Sequence, residues 1–271
     1  AGQLAVAVAE ALGLPSGGDA PRTAFINACV ASTNAVISAA RMIRGGRAEA
    51  VICGGAYVVG EMTFSMFDSG RALSQESQIR PFSKDRSGLL LGDGAAVFVL
   101  ESARHAQARG ARPLARLGGW GMAADAHHVV QPHPEGAGLA LAASRALARA
   151  GVEAGRIDYV NAHGTGTALN DKAETRALRR LFGAAANRIP VSSTKSVTGH
   201  MLEATGAVEL AITLLALQHG RIPPTCGYRE RDPECDLDYV PGESRTAEVR
   251  RALTLNAAFG GVNAALVVER V

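Results

Sequence analysis

Four side chains in this 271-residue chain are of types that make and break carbonyl bonds together: Cys29, His163, Lys195 and His200. Cys29 lies between the apolar pair Phe25-Ile26 and an Ala-rich run, Ala31 to Arg44, that Gly45-Gly46 closes in the manner of a helix C-cap. The pattern predicts a strand, a sharp turn and a helix, with the thiol at the helix N-terminus. Unpaired N–H groups and the positive dipole end there favour thiolate over thiol, the form that attacks a carbonyl. A small buried cysteine filling a tight turn reads the same way. His163 ends the run Ile157-Asp-Tyr-Val-Asn-Ala162 and is fenced by Gly-Thr-Gly-Thr167, a context that suits a hydrogen-bonded core histidine as well as a reacting one. Ser192-Ser-Thr-Lys195-Ser-Val-Thr-Gly-His200 sets a lysine and a histidine five residues apart before an apolar helix. Glu209, inside that helix, is the natural partner for Lys195, because a lysine and a glutamate facing a core are seldom unpaired.

Bringing these residues together requires strands that end at one place. The chain predicts helix 3–12, a Gly/Pro-rich mobile loop Pro15–Pro21, strand 24–27, the helix after Cys29, and strand 50–53 buried on both faces. A long Ser/Arg/Gly-rich connection, 61–94, leads into strand 95–101. Helix 102–109 and a strand near 115–117 follow. Between 121 and 136 stand His127, His128 and His133; Pro132 and Pro134 break any helix, and no i, i+4 face joins the rings, so a loop is expected rather than a metal site. Helix 138–150, strand 157–162, helix 171–182, strand 189–192 and helix 206–219 come next. Strands 253–256 and 264–269, hinged by Phe259-Gly-Gly261, close the chain. An internal repeat runs through this order. The helix after Cys29 and the two strands ending at Glu101 mirror the helix at 206–219 and the two strands ending at Glu269.

Composition sets bounds. Hydrophobic residues make up 47%, aromatic residues 4%, and there are 31 glycines, which describes an α/β protein whose helices lie close on its sheets. A net charge of +3 with scattered basic residues argues against a nucleic-acid partner. No apolar run reaches the ~18 residues of a membrane span. Cys29, Cys53, Cys226 and Cys235 show no paired metal-binding spacing, so no metal is expected, and so few cysteines fit a reducing, cytoplasmic setting.

Taken together, Ala28-Cys29, Asn161-Ala-His163-Gly-Thr-Gly-Thr167, Ser193-Thr-Lys195-Ser-Val-Thr-Gly-His200 and the Phe259-Gly-Gly261 hinge resemble the β-ketoacyl synthase family in order and spacing. The resemblance runs from about Gln3 to the end and is nearest to the elongating type II synthases of fatty acid synthesis and their polyketide relatives. It implies the thiolase-like five-layer α-β-α-β-α fold in two pseudo-repeated halves, divided here as 1–112 with the nucleophile and 113–271 with the histidines. It further implies a 3-oxoacyl-[acyl-carrier-protein] synthase, an acyltransferase that loads an acyl chain on Cys29 and condenses it with malonyl-carrier protein after loss of CO2. By the same resemblance, His163 and His200 donate to the thioester oxygen as it gains charge. Lys195, with Glu209, fixes the histidine geometry. The N–H groups of Cys29 and Phe259 form a second oxyanion hole, Phe259 gates the acyl-cysteine beside Gly260 and Gly261, and Thr165 and Thr167 bond the phosphopantetheine arm. Arg71 matches a basic position where the acidic carrier protein docks. No bound cofactor is implied, since phosphopantetheine arrives on the acyl carrier protein. The expected assembly is a homodimer or a ketosynthase-like heterodimer.

Two departures stand out. The family runs Asn-Ser-Phe-Gly-Phe-Gly-Gly before the last strand, whereas this chain has the shorter Asn256-Ala-Ala-Phe259-Gly-Gly261. The chain also opens mid-pattern, without the family's N-terminal third, and is expected to expose strand edges and to fold poorly alone. Two alternatives accompany the condensing reading. One is a non-condensing partner that sets chain length; such partners usually lose the nucleophile, which is present here. The other is a thiolase acting on coenzyme A thioesters, which needs a second cysteine near the C-terminus, and none follows Cys235.

Overall fold

The computed structural model describes residues 2–13 and 22–271. The Gly/Pro-rich stretch Pro15–Pro21 lies outside them. In order, the chain forms α1 (Gly2–Ala11), α2 (Ala31–Arg44), β1 (Ala50–Tyr57), α3 (Glu61–Ser69), β2 (Gly94–Glu101), α4 (Ala103–Ala108), β3 (Arg116–Ala124) and α5 (Ala137–Ala150). Next come β4 (Tyr159–Asn161), α6 (Ala168–Phe182), β5 (Val191–Ser192), α7 (Lys195–Thr198) and α8 (Thr205–His219). The short strands β6 (Arg221–Ile222) and β7 (Arg245–Thr246) pair with each other, and β8 (Arg251–Ala258) and β9 (Val262–Glu269) end the chain.

The second half is built on a five-stranded mixed sheet in the order β3-β9-β8-β4-β5. β8 and β9 form an antiparallel hairpin, and β4 runs parallel to both β8 and β5. Residues 252–256 and 263–268 of that hairpin are all buried, as central strands covered on two sides must be. Helix α5 lies across β3 and β9 at a distance that only glycine allows. A Cβ on Gly121 would run into the Ala142 carbonyl, and one on Gly119 into that of Ala146. This is the close packing for which a Gly/Ala-rich composition is suited.

Among the described residues the first half repeats the hairpin and the helix that precedes it. β1 and β2 pair antiparallel from Ala50↔Glu101 to Tyr57↔Gly94, and one face of the pair packs on α2 and α8 through Val51, Cys53, Phe98 and Leu100. α2 and α8 therefore form the middle layer, with β1–β2 on one side, the five-stranded sheet on the other and α5 with α6 beyond it. Four of the five thiolase-type layers are present among the described residues. The outer face of β1–β2 carries Val97 at 52% and Val99 at 60% exposure.

Two expectations are corrected. β1 is not buried on both faces; Cys53 alone among its residues is buried. Residues 24–27 form no strand, because no neighbouring strand stands beside them among the described residues and a strand exists only through its ladder. The corresponding segment of the repeat, β5, does have such a neighbour in β4. The long 61–94 connection is tied into the rest of the chain. It opens with α3, and its remainder is bonded into the second half by Phe82 N–H to Asp171 and Lys84 N–H to Glu230 O.

Candidate active site

Cys29 sits in a single 3-10 turn, Ala28–Val30, that feeds into α2. Ala28 holds φ at +54°, a left-handed conformation that costs an alanine about 1–2 kcal/mol. The turn packs against the turn Leu202–Ala204, the start of α8 and strand β8, so the thiol lies at the junction of the two halves. Its ionisation departs from the helix-end expectation. Burial pushes the thiol up to about 12, and the Lys195 ammonium is the strongest influence pulling the other way. Desolvation outweighs the influences that favour the thiolate, and the resting side chain is the thiol.

His163 leaves β4 into the loop Gly164–Thr167, and the first turns of α6 hold that loop by its main chain. Glu174 accepts the N–H of His163 on one oxygen and that of Gly164 on the other, both at 2.7 Å. Asp171, one turn earlier on the same face, accepts the N–H of Gly166 at 3.3 Å. Burial pushes Glu174 up to about 7, against the pull of those two N–H bonds. From the opposite side Lys195 donates to the His163 carbonyl at 2.5 Å and to Glu209 Oε1 at 2.5 Å. Glu209 Oε2 accepts from Asn256 Nδ2 at 2.7 Å, and Asn256 Oδ1 accepts from Thr33 on α2. The sequence pairing of Lys195 with Glu209 is realised, both side chains wholly buried.

His200 is held by its backbone as well as by its ring. Its N–H donates to Leu90 O at 2.7 Å, and its carbonyl accepts from Gly92 N–H at 3.1 Å. Its Nδ1 accepts the Leu202 N–H at 3.2 Å and faces the Thr205 hydroxyl at 3.0 Å. A nitrogen that accepts an N–H carries no proton, so the neutral ring keeps its proton on Nε2 and offers a donor there. The His163 and His200 rings meet edge-to-face, centroids 5.4 Å apart. Burial first, and then the Lys195 charge, hold both rings well below the ordinary histidine value, so both are neutral. Cys29, His163 and His200 thus share the field of one lysine.

Around this centre, Thr165 and Thr167 face each other, hydroxyl to hydroxyl, at 2.8 Å. The Phe259 ring, half-exposed, stacks on Phe67 of α3 with centroids 5.8 Å apart. Gly260 and Gly261 turn the hairpin at φ +82° and +71°. Gly260 N–H donates to Val129 O, and Asp125 N–H donates to Gly261 O, so the three-histidine segment is a loop that backs this turn. Among the described residues no cluster of three His, Cys, Asp or Glu is placed to hold a metal. Arg71 is exposed just after α3, with φ at +52°.

Glu174, Asp171, Asn256 and the main chain of Leu90 and Gly92 escaped the sequence reading. Two of them had a visible signal: acidic residues three apart on a helix face, next to a histidine loop. The backbone contributors had none.

Residues 4–106 match the family model of the β-ketoacyl synthase N-terminal domain, and residues 114–229 that of its C-terminal domain. The chain belongs to the β-ketoacyl synthase family. This β-ketoacyl synthase chain is 40% identical over 260 residues to the 3-oxoacyl-[acyl-carrier-protein] synthase 2 of Synechocystis sp., a match covering 94% of this chain and 62% of that protein. It superposes on the ishigamide ketosynthase/chain length factor with a TM-score of 0.94 at 38% identity, covering 100% of this chain and 65% of the other. On a type II polyketide ketosynthase solved with its acyl-carrier protein and bound to the hexaketide, the TM-score is 0.95 at 31% identity, with coverage of 100% and 67%. The chain thus spans a little over three-fifths of the curated relative it matches.

Proposed function

We propose that this chain is the nucleophile- and histidine-bearing part of a 3-oxoacyl-[acyl-carrier-protein] synthase, divided into portions 1–112 and 113–271. The observation that carries the reading is the pair of buried, neutral imidazoles set edge-to-face beside one lysine whose charge also reaches the Cys29 thiol.

In the first step the Cys29 sulfur attacks the carbonyl of an acyl-carrier thioester. The pantetheine thiol leaves with the proton that Cys29 gives up, and an acyl-cysteine remains. The N–H groups of Cys29 and Phe259 receive the oxyanion of this step. In the second, a malonyl-carrier thioester loses CO2, and the electron pair of the broken C–C bond moves toward the thioester oxygen. His200 Nε2–H and His163 stabilise that charge, and donors of this kind are commonly worth about 3 kcal/mol each. Neutral rings serve here because they donate without adding a full charge that would have to be desolvated. The carbanion then attacks the acyl-cysteine carbonyl, the C–S bond breaks, and the departing sulfur takes a proton from solvent to restore the Cys29 thiol. Lys195 and Glu209 hold the His163 main chain without exchanging protons. Thr165 and Thr167 grip the pantetheine arm, Phe259 with Phe67 covers the acyl-cysteine beside Gly260 and Gly261, and Arg71 meets the acidic carrier protein. The enzyme works as a dimer, with itself or with a ketosynthase-like partner, in the cytoplasm; among the described residues no helix is long and apolar enough to cross a membrane.

Mass spectrometry of the complete polypeptide after incubation with an acyl-carrier thioester tests this reading. An acyl adduct on Cys29, absent in Cys29→Ala, is expected. No adduct would favour a non-condensing partner subunit.

A further inference from the structure

The part of the connection between α3 and β2 that follows Gly70 has no helix and only isolated bridges, yet its main chain touches two sides of the site. Leu90 O accepts the His200 N–H at 2.7 Å, and Gly92 N–H donates to the His200 carbonyl at 3.1 Å. Gly88 N–H donates to Gly166 O at 3.1 Å, between Thr165 and Thr167. Any slide of this strap displaces the imidazole and both hydroxyls together.

The strap is anchored a few residues upstream by Arg86, whose side chain is 3% exposed. Its Nη1 donates to Asp232 at 2.6 Å and to Ser83 O at 2.7 Å, and its Nη2 donates to Ala168 O at 3.3 Å. Its Nε lies 3.8 Å from the buried carboxylate of Asp171. That carboxylate also takes the N–H groups of Phe82 and Gly166, one from the strap and one from the threonine loop. One guanidinium therefore joins the strap, the first turn of α6 and the 229–235 loop. Planar, multi-donor geometry of this kind is what arginine offers and lysine does not.

We propose that Arg86 is a positioning residue of the condensing site: clamped between Asp171 and Asp232, it sets the strap whose main chain aims His200 and spaces Thr165 and Thr167. The proposal rests on the condensing reading above, and it separates from a plain structural staple by what should not change. Cys29 is carried by α2 and its turn, to which no hydrogen bond joins the strap among the described residues.

The complete polypeptide and its Arg86→Met, Arg86→Lys and Asp232→Asn variants are compared in four measurements. These are CO2 release from malonyl-pantetheine, KM for an acyl-pantetheine thioester, alkylation of Cys29 by iodoacetamide, and the 15N resonances of the His200 ring. In Arg86→Met, CO2 release falls about tenfold to a hundredfold, as misplacement on the ångström scale does. KM rises several-fold and the His200 Nδ1 resonance moves, while alkylation stays within about twofold. Arg86→Lys recovers part of the loss, because one ammonium does not span two carboxylates. Asp232→Asn shows the same pattern at smaller amplitude, and it decides the matter should Arg86→Met not fold. Wild-type CO2 release, KM and His200 resonances in either folded variant overturn the proposal, as does alkylation that changes in step with CO2 release. A wild-type protein that neither takes an acyl group nor releases CO2 defeats the condensing reading instead, and the His200 resonances still decide the role of Arg86.

Discussion

Lys195 donates to the backbone carbonyl of His163 at 2.5 Å, and the same ammonium pairs with Glu209. One charge therefore holds a catalytic candidate by its main chain and leaves the ring out of that bond.

Removing one member of this pair is expected to be costly. Lys195→Met strands the Glu209 carboxylate in a site with no exposure, a loss of about 3–5 kcal/mol. Glu209→Gln, by the same logic, strands the ammonium. The double variant Lys195→Met/Glu209→Gln should recover much of the stability in denaturant titration, although not the His163 geometry. A double variant less stable than either single one would contradict this account.

The histidines make stability sensitive to acid. The unfolded chain takes up a proton at each ring near pH 6.5, whereas the folded chain resists until well below it, so falling pH favours unfolding across that window. Glu174, pushed up to about 7, works in the opposite sense below pH 7, so the test is a difference. His200→Asn keeps an acceptor for the Leu202 N–H and removes the titration. The stability of the wild type relative to this variant should decline by about 1.4 kcal/mol per pH unit below 6.5. Parallel curves for the two proteins would show that His200 does not titrate this way.

The thiol makes a separate prediction. With Cys29 pushed up to about 12, alkylation by iodoacetamide should still climb about tenfold per pH unit between pH 8 and 10. A profile that levels off near pH 7 would mean that the helix end and Lys195 overcome burial after all.

The two hinge glycines should respond differently to alanine. Gly260 has φ +82° with nothing within 4 Å of an added Cβ, so Gly260→Ala meets backbone strain alone, about 1–2 kcal/mol. At Gly261, with φ +71°, the new Cβ also comes within 2.9 Å of Asp125 Cβ. Asp125 accepts from His133 N–H and Asn263 Nδ2, so the crowding spreads to the loop behind the hinge. Gly261→Ala should therefore lose about 1 kcal/mol or more beyond Gly260→Ala by thermal or chemical unfolding. Equal losses would show that the contact is relieved without cost.

What lies in the sequence is what short range decides. Helices α5, α6 and α8 end where Gly151, Gly183 and Gly220 stop them, and the apolar runs of β8 and β9 flank a Gly-Gly pair whose positive φ values alanine would resist. The order of Cys29, His163, Lys195 and His200 was legible too, and so was the pairing of Lys195 with Glu209, because a buried charge demands a partner. Tertiary structure decided the rest. Residues 24–27 have strand-forming side chains and no ladder to join, and a ladder is a property of two segments. The thiol of Cys29 is protonated because desolvation depends on everything packed around it, which no helix-end rule contains. His200 takes its aim from Leu90 and Gly92, and these act through peptide groups that every residue possesses. Such contacts leave no trace in residue type, so only the folded chain reveals them.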